Sequence, residues 1–256
     1  MVNSYYYNGN EYTGRSAAER EAGYWIASAA SAAILSPLAL LGRPFEKQLI
    51  KEQANNEYYR DKFLKAVEKS GAKVSINPAE LFKDKTSDYA RGTNAAFNSK
   101  TNQIIINTKK ISIAGFHELG HALNRLKGSF LTKMNSRLYG VGYAIAGYMG
   151  YIALFSRSKP KDAPKTIGDR IKDNCGKIAF VAMLPVVAEE ALASCKGIKL
   201  AKEVGVNSAG ISALKNLYKK AFMTYAGRCV LGGLAVGASS MIMDYFSRPR
   251  LKRNEW

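Results

Sequence analysis

Four long runs of apolar residues dominate the pattern of hydrophobic and polar positions along the chain. They cover residues 22–42, 139–156, 178–194 and 229–247, and charged or polar segments separate them. About 20 apolar residues in a helix are enough to cross the hydrocarbon core of a bilayer. The runs therefore predict hydrophobic helices, at least two of which we expect to be transmembrane. Unusually apolar core helices of a soluble protein would give the same pattern.

The segments between these runs are more polar and predict a small sheet beside further helices. Residues 43–71 have apolar positions at helical spacing, and KVSINP at 73–78 is typical of a short strand. Residues 88–109 predict two strands around the polar turn NSKTN, the second of which, QIIIN at 103–107, comes before a helix. The predicted fold class is therefore mainly α with a small β-sheet, in the α+β class.

The same pattern predicts one large domain between two tails. We expect an N-terminal tail at 1–21, whose SYYYNGNEY stretch is typical of disorder, and a hydrophobic helix at 22–42. A single domain, with apolar helices near 139–156, 178–194 and 229–247, is predicted over residues 43–247. Residues 248–256 form a basic tail.

Charge adds an expectation about partners. The chain has 38 Lys+Arg against 20 Asp+Glu, a formal net charge of +18, which favours an anionic partner or basic loops beside membrane helices. No nucleic-acid-binding motif accompanies the charge, so we expect a lipid membrane and no nucleic acid as partner. The three cysteines form no CxxC pair, which favours a reducing compartment.

The only two histidines of the chain, His117 and His121, lie in the helical pattern ISIAGFHELGHALNRLKG. Residues four apart share one face of a helix, so both imidazoles can reach one zinc ion. Glu118 lies beside the first histidine and can take a proton from the attacking water, as in the HExxH arrangement. Gly120 would allow another helix to approach closely. Accidental spacing on a surface helix is the alternative, and with only two histidines it is improbable.

The third zinc ligand cannot be a histidine, because none is left. The metzincin pattern would require Gly at position 124 and His at position 127, and neither is present. The strongest candidates are Glu189 and Glu190, because a carboxylate at the end of an apolar helix is costly unless something pairs it. Cys175 and Cys195 are weaker candidates, since cysteines in apolar helices are usually packing residues.

A wider set of motifs resembles a known family. HELGHAL is followed by Leu184-Pro185-Val186 and then by E-x-x-A-S, which begins at Glu190. This order is similar to that of the YugP-type neutral zinc metallopeptidases of bacterial membranes, and the resemblance covers roughly residues 90 to 235. The last segment is similar to the third-ligand helix of gluzincins. The HtpX and CAAX-prenyl protease group shares the same active-site plan.

The resemblance implies a zincin-like metallopeptidase, a membrane-associated zinc-dependent endopeptidase that acts on proteins or peptides. It implies His117, His121 and Glu190 as ligands of Zn2+ and Glu118 as the catalytic base; Glu189 stays open as an alternative ligand. We expect the QIIIN strand to pair with an extended substrate. An oxyanion needs a donor, for which the candidates lie in MTYAGR: Tyr225 and Arg228.

The expected location is the bacterial inner membrane, in a multi-pass arrangement. If the runs at 139–156 and 178–194 both cross, His117 and Glu190 return to the same side. Basic residues after the first run and before the second favour a cytoplasmic catalytic site. The 157–177 loop is also basic, so these two runs could instead form a buried hairpin. The competing functional class is a non-enzymatic protein with an inactive zincin-like site, which binds a membrane surface or nucleic acid through its basic charge.

Overall fold

The computed structural model describes residues 4–7, 10–52, 56–110 and 113–252. Its helices and strands follow in chain order: β1 (Ser4–Tyr7), β2 (Asn10–Thr13), α1 (Ala17–Leu35), α2 (Pro37–Glu52), α3 (Asn56–Ser70), β3 (Ser75–Pro78), α4 (Asp88–Arg91), β4 (Ala96–Asn98), β5 (Gln103–Ile106), α5 (Ala114–Lys127), α6 (Phe130–Phe155), α7 (Ile167–Asp173), α8 (Cys175–Glu203), α9 (Ser208–Ser247) and β6 (Arg250–Leu251). The prediction of a mainly helical chain with little sheet is confirmed.

Four helical stretches are long and apolar enough to cross a membrane, judged by length and composition. They are Ala17–Glu52, Phe130–Phe155, Cys175–Glu203 and Ser208–Ser247. Three of them contain a whole apolar run and Phe130–Phe155 contains all but the last residue of the run 139–156, so the prediction of hydrophobic helices is confirmed. The helices extend well beyond the runs, however, because polar residues continue the helical backbone where they can face solvent or neighbouring elements.

The helix predicted at 22–42 is divided between α1 and α2. Ser16 begins α1 with a capping box: its hydroxyl accepts a hydrogen bond from the Glu19 amide, and the Glu19 carboxylate accepts one from the Ser16 amide. The helix ends at Leu35, and Ser36 forms a turn before Pro37, which begins α2. A proline is well suited to the first position of a helix, where its missing N–H costs no hydrogen bond.

The chain divides into two compact units, and the domain predicted over 43–247 is shared between them. Unit 1 comprises Met1–Pro37, Val141–Leu184 and Gly227–Trp256, and unit 2 comprises Leu38–Gly140 and Pro185–Ala226. Three long helices, α6, α8 and α9, contribute residues to both units.

Unit 1 contains α1, α7, parts of the three shared helices and a sheet in the order β1-β2-β6. The sheet corrects the expected tails. SYYYNGNEY supplies β1 and most of β2, which pair in antiparallel fashion, and Arg250–Leu251 of the predicted basic tail pairs with β2. The prediction of disorder is therefore wrong for residues 4–7 and 10–12, which lie in paired strands. The last four residues of the predicted basic tail lie outside the described part of the chain.

Unit 2 contains a sheet in the order β3-β5-β4, with β3 parallel and β4 antiparallel to β5. Ile104 and Ile106 of β5 are fully buried, and the rings of Phe63 and Phe116 meet edge to face between α3 and α5. The strand predicted to receive substrate, QIIIN, is β5. It lies in the middle of the sheet with neighbours on both sides, so the prediction that it pairs with a substrate is wrong.

Candidate metal centre

Helix α5 carries both histidines, and its packing determines where they point. Phe116, Leu119 and Ala122 are fully buried and hold one face of α5 in the core of unit 2. His117 and His121 lie one turn apart on this helix, as predicted, and their rings meet edge to face with centroids 4.6 Å apart.

Two glycines bring α5 and α8 into backbone contact. A Cβ atom on Gly120 would lie 2.1 Å from the carbonyl oxygen of Ala193, and one on Gly197 would lie 2.4 Å from the carbonyl oxygen of Phe116. No side chain fits at either position without moving a helix. The close approach expected at Gly120 is therefore present, and it places the glutamates of α8 against the histidines of α5.

Three side-chain atoms from these helices converge on one point. The Nε2 atom of His117 lies 3.0 Å from Oε2 of Glu190 and 3.1 Å from Nε2 of His121, and the remaining pair, His121 Nε2 and Glu190 Oε2, is 3.6 Å apart. Among the described residues, this is the group that could hold a metal ion. Of the two glutamates left open by the sequence, Glu190 is the one that joins the histidines.

Two side chains of α8 hold the Nδ1 atoms of both imidazoles. Glu189 Oε1 lies 3.1 Å from Nδ1 of His121, and the Ser194 hydroxyl lies 3.1 Å from Nδ1 of His117. With Nδ1 engaged, each ring turns Nε2 towards the centre, which is how protein metal sites commonly orient their histidines. Glu189, which the sequence left open as an alternative ligand, reaches His121 from the far side, because His121 lies between the two carboxylates.

Two asparagines hold Glu189 in turn. The side-chain amide of Asn124 donates to Oε1 of Glu189 at 3.0 Å, and that of Asn135 donates to its Oε2 at 3.4 Å. Sequence reasoning missed both. Asn124 had a signal, since it lies three residues after His121 and seven after His117, on the same face of α5. Asn135 on α6 had none, because its position depends on how α6 meets α8.

A tyrosine hydroxyl holds the other oxygen of Glu190. Tyr139 of α6 donates to Oε1 of Glu190 at 3.0 Å, which leaves Oε2 to face the histidines. In the sequence Tyr139 is merely the first residue of an apolar run. Only the fold shows that its polar end faces the site.

Glu118 lies next to this group and is also held in place. Its Oε2 accepts a hydrogen bond of 2.8 Å from the Phe97 amide of β4, and it lines the same cavity as the histidines. Burial raises the pKa of Glu118, and the two neighbouring histidines only partly oppose this effect. A carboxylate with a raised pKa is well suited to taking up a proton.

The potential at the centre favours a cation. Burial by itself would lower the pKa of His121, but the carboxylates of Glu189 and Glu190 outweigh it and raise that pKa to about 10. Glu189 and Glu190 are almost completely buried, at 1% and 2% exposure. Buried carboxylates are costly unless a positive charge compensates them, and a metal ion would do so.

A cavity of about 630 Å³ in unit 2 opens onto the centre. The histidines and the three glutamates line it, together with residues 94–97 around the start of β4. Of the two candidate oxyanion donors, Tyr225 lines this cavity, whereas Arg228 is not among its lining residues and belongs to unit 1.

The distances within the group fit a metal ion. Ligands at 2.0–2.1 Å from a tetrahedral zinc are separated from one another by roughly 3.3 Å. The observed separations of 3.0, 3.1 and 3.6 Å lie on both sides of this value, so the three ligands need little movement to bind. His117, His121 and Glu190 can therefore hold a metal ion. The chain matches no protein-family model, no curated protein and no solved structure.

Proposed function

We propose that this chain is a membrane-associated, zinc-dependent endopeptidase. The observation that carries the proposal is the geometry of unit 2: two imidazoles and a carboxylate converge within 3.6 Å, and a second, non-converging carboxylate, Glu118, faces the same cavity. The first three groups are a ligand set, and the fourth is a base. The resemblance of the sequence motifs to those of the YugP-type metallopeptidases supports the same reaction.

Zinc is the metal that this donor set favours. Two imidazole nitrogens and one carboxylate oxygen are a common set of ligands in catalytic zinc sites, whereas magnesium and calcium prefer oxygen ligands alone. When bound, a zinc ion polarises the scissile carbonyl and makes water a better nucleophile.

The chain's own residues then supply proton transfer and positioning. Glu118 takes the proton of the attacking water on its carboxylate and later passes it to the leaving amine. The Phe97 amide fixes one oxygen of Glu118 and leaves the other free to meet the water. Tyr225, which lines the cavity, is the residue we propose to stabilise the oxyanion; Arg228 has no part in the proposal.

We propose that substrate binds along β4 rather than β5. Strand β4 is at one edge of its sheet, and residues 94–97 at its start line the cavity beside Glu118. An extended peptide can add to such an edge through main-chain hydrogen bonds, which select for extended backbone more than for particular side chains. The substrate is therefore a protein segment that is unfolded or easily unfolded.

The four long apolar helices support a multi-pass location in a bacterial inner membrane. His117 and Glu190 are in contact, and an even number of membrane crossings between them is compatible with that contact. We propose that α6 and α8 both cross the bilayer and that the metal centre opens to the cytoplasm. Resistance of the protein to alkaline carbonate extraction tests the membrane location directly.

The central experiment compares zinc content and hydrolysis of an unfolded protein by the detergent-purified chain. We expect one zinc per chain in the wild type. Glu118→Gln should keep the zinc and lose hydrolysis by a factor of at least about 1,000, because the base is removed without changing a ligand. Glu68→Gln, on the exposed surface of α3, is the matched control and should keep both properties.

Two outcomes would overturn the proposal in different ways. Full hydrolysis by Glu118→Gln would show that the activity does not use this site. Stoichiometric zinc with no hydrolysis of any unfolded protein by the wild type would favour the competing class, a membrane protein with an inactive zincin-like site.

A further inference from the structure

A second polar site lies in unit 1, where the ends of its helices meet. Arg15, just before α1, donates to the carbonyl oxygens of Tyr245 and Arg248 at the end of α9. The hydroxyl of Ser158, just after α6, lies 2.9 Å from that of Ser247. These contacts join the start of α1, the end of α6 and the end of α9 at one end of unit 1.

A pocket of about 270 Å³ lies at this end, between the 157–165 loop, α7 and the end of α9. Three acidic side chains line it, Asp169, Asp173 and Asp244. Its basic lining residues are twice as many: Arg157, Lys159, Lys161, Lys165, Lys172 and Arg248. The pocket is therefore positive even after every acidic group has been counted.

Three of the basic side chains have acidic partners. Lys159 pairs with Asp169, Lys165 with Asp173, and Arg248 with Asp244. These are the pairs that consume the negative charge of the pocket, so its positive excess resides on the remaining three basic residues.

The remaining basic groups have capacity for an anion. Within the described part of the chain, no acidic group pairs with the exposed side chains of Arg157 and Lys161. Lys172 is 4% exposed; its ammonium donates to the Ser156 carbonyl and the Ser158 hydroxyl and lies 4.0 Å from Asp244. The Nε atom of Arg248 is buried without a hydrogen-bond partner in the described residues. An anion with several oxygens would provide hydrogen-bond acceptors and negative charge for these basic groups.

Exposed aromatic side chains lie along the helices whose ends meet at this end of unit 1. Trp25 of α1, Tyr151 and Phe155 of α6, and Tyr245 of α9 are all exposed and lie within about two helical turns of the helix ends. Exposed aromatic residues of this kind mark the level of lipid headgroups in membrane proteins. The pocket lies at the ends of these apolar helices, which is where lipid phosphates are found when such helices cross a bilayer.

We propose that this pocket binds the phosphate headgroup of an anionic phospholipid, with Arg157 and Lys161 as its principal contacts. The proposal depends on unit 1 being embedded in a bilayer and not on the peptidase activity. Free inorganic phosphate shares the chemistry of the headgroup, but it has no acyl chains to contact the exposed aromatic side chains of α1, α6 and α9. Basic pockets between membrane helices are a common type of headgroup site, and each basic residue near a surface adds a similar increment of attraction.

The test uses the full-length protein in nanodiscs of phosphatidylcholine with one-tenth phosphatidylglycerol. Native mass spectrometry after mild extraction counts the lipids that remain bound. We expect phosphatidylglycerol to be retained well above its share of the bilayer. Arg157→Gln/Lys161→Gln should lower this preference about 30-fold, since two headgroup contacts are lost. Single Lys161→Gln, at an exposed position that folding does not require, should lower it by a smaller factor.

The matched control is Arg170→Gln/Lys177→Gln. These two residues are exposed, belong to unit 1 and carry the same charge, but they do not line the pocket. Their removal should leave the preference unchanged. An equal loss in both double variants would overturn the pocket in favour of general surface charge, and no preference in the wild type would overturn the site altogether.

Displacement of the lipid by inorganic phosphate at equal concentration would assign the pocket to free phosphate instead. If a single-stranded RNA oligonucleotide bound through Arg157 and Lys161 more tightly than phosphatidylglycerol does, the pocket would be assigned to nucleic acid.

Discussion

The candidate metal centre of unit 2 and the basic pocket of unit 1 are both clusters of charged groups, but they are built in opposite ways. In the metal centre, Glu189 and Glu190 are almost completely buried, and each has a side chain that fixes its second oxygen. In the basic pocket, pairs such as Lys165 with Asp173 are largely exposed. A buried charge has a large desolvation cost, so its partners must be placed accurately. An exposed charge has little desolvation cost and tolerates imprecise placement of its partners. The first site should therefore select a ligand by coordination geometry and the second by charge.

The largest effect should follow from removing both imidazoles of the metal centre. We expect His117→Ala/His121→Ala to retain less than about one-tenth of the wild-type zinc, because a single carboxylate cannot hold the ion alone. Metal analysis of the purified protein after dialysis against a weak chelator measures this. Stoichiometric zinc in the double variant would place the metal elsewhere and remove the contrast between the two sites.

A comparably large effect on stability should come from the contact between α5 and α8. Gly120→Ala would place a Cβ atom 2.1 Å from the Ala193 carbonyl oxygen, so the helices must separate. We expect a loss of about 3 kcal/mol and a lowering of Tm by roughly 10 °C in detergent. Gly140→Ala is the control, since nothing lies within 4 Å of its Cβ position, and it should stabilise α6 by about 0.5 kcal/mol. Equal behaviour of the two variants would show that α5 and α8 are not in close contact.

An intermediate effect is expected at Glu189. Glu189→Gln should weaken zinc binding by about 10- to 100-fold, because His121 loses the carboxylate that orients it. Glu190→Gln should weaken binding further, because it replaces a ligand. Competition titrations with a chromophoric chelator rank the two variants. A larger loss in Glu189→Gln would reverse their roles and make Glu189 the third ligand.

The smallest effect should be found in the basic pocket. Lys165→Ala breaks an ion pair whose side chains are 64% and 41% exposed, and solvent screens such pairs effectively. We expect a change in unfolding free energy of less than about 0.5 kcal/mol, measured by thermal unfolding in detergent. A change of several kcal/mol would show that this pocket is as strictly organised as the metal centre.

The sequence was most informative where function requires residues that are close along the chain. His117, Glu118 and His121 lie within five residues of one helix, so helical spacing alone predicted which face they share. Glu190 was found because a carboxylate in an apolar run is conspicuous on energetic grounds. Its choice over Glu189 rested on the E-x-x-A-S resemblance, and the register of α8 against α5 then determines which carboxylate oxygen lies near the Nε2 atoms of both histidines.

Other features depended on contacts that no local pattern contains. The sequence indicated two strands around NSKTN, but whether β4 or β5 lies at the edge depends on where β3 pairs. The tyrosine-rich start belongs to a sheet whose third strand, β6, pairs with β2 from more than 230 residues away, and no local pattern contains that contact. Tyr139 and Asn135 were missed for the same reason, since α6 brings them to the site from beyond the helix that bears the histidines.

The reciprocal glycine contacts make assembly of the metal centre an all-or-none event. Gly120 faces Ala193 while Gly197 faces Phe116, so α5 and α8 run antiparallel and each helix has a notch that receives the backbone of the other. If one helix slid slightly along the other, the carbonyl oxygens of Ala193 and Phe116 would both move out of the spaces beside the two glycines. The next available register is a full helical turn away, about 5.4 Å, which would separate Glu190 of α8 from both histidines of α5. Substitution of side chains could therefore change which metal ion this centre prefers. Small shifts of α5 against α8 could not, because the glycine contacts do not allow intermediate positions.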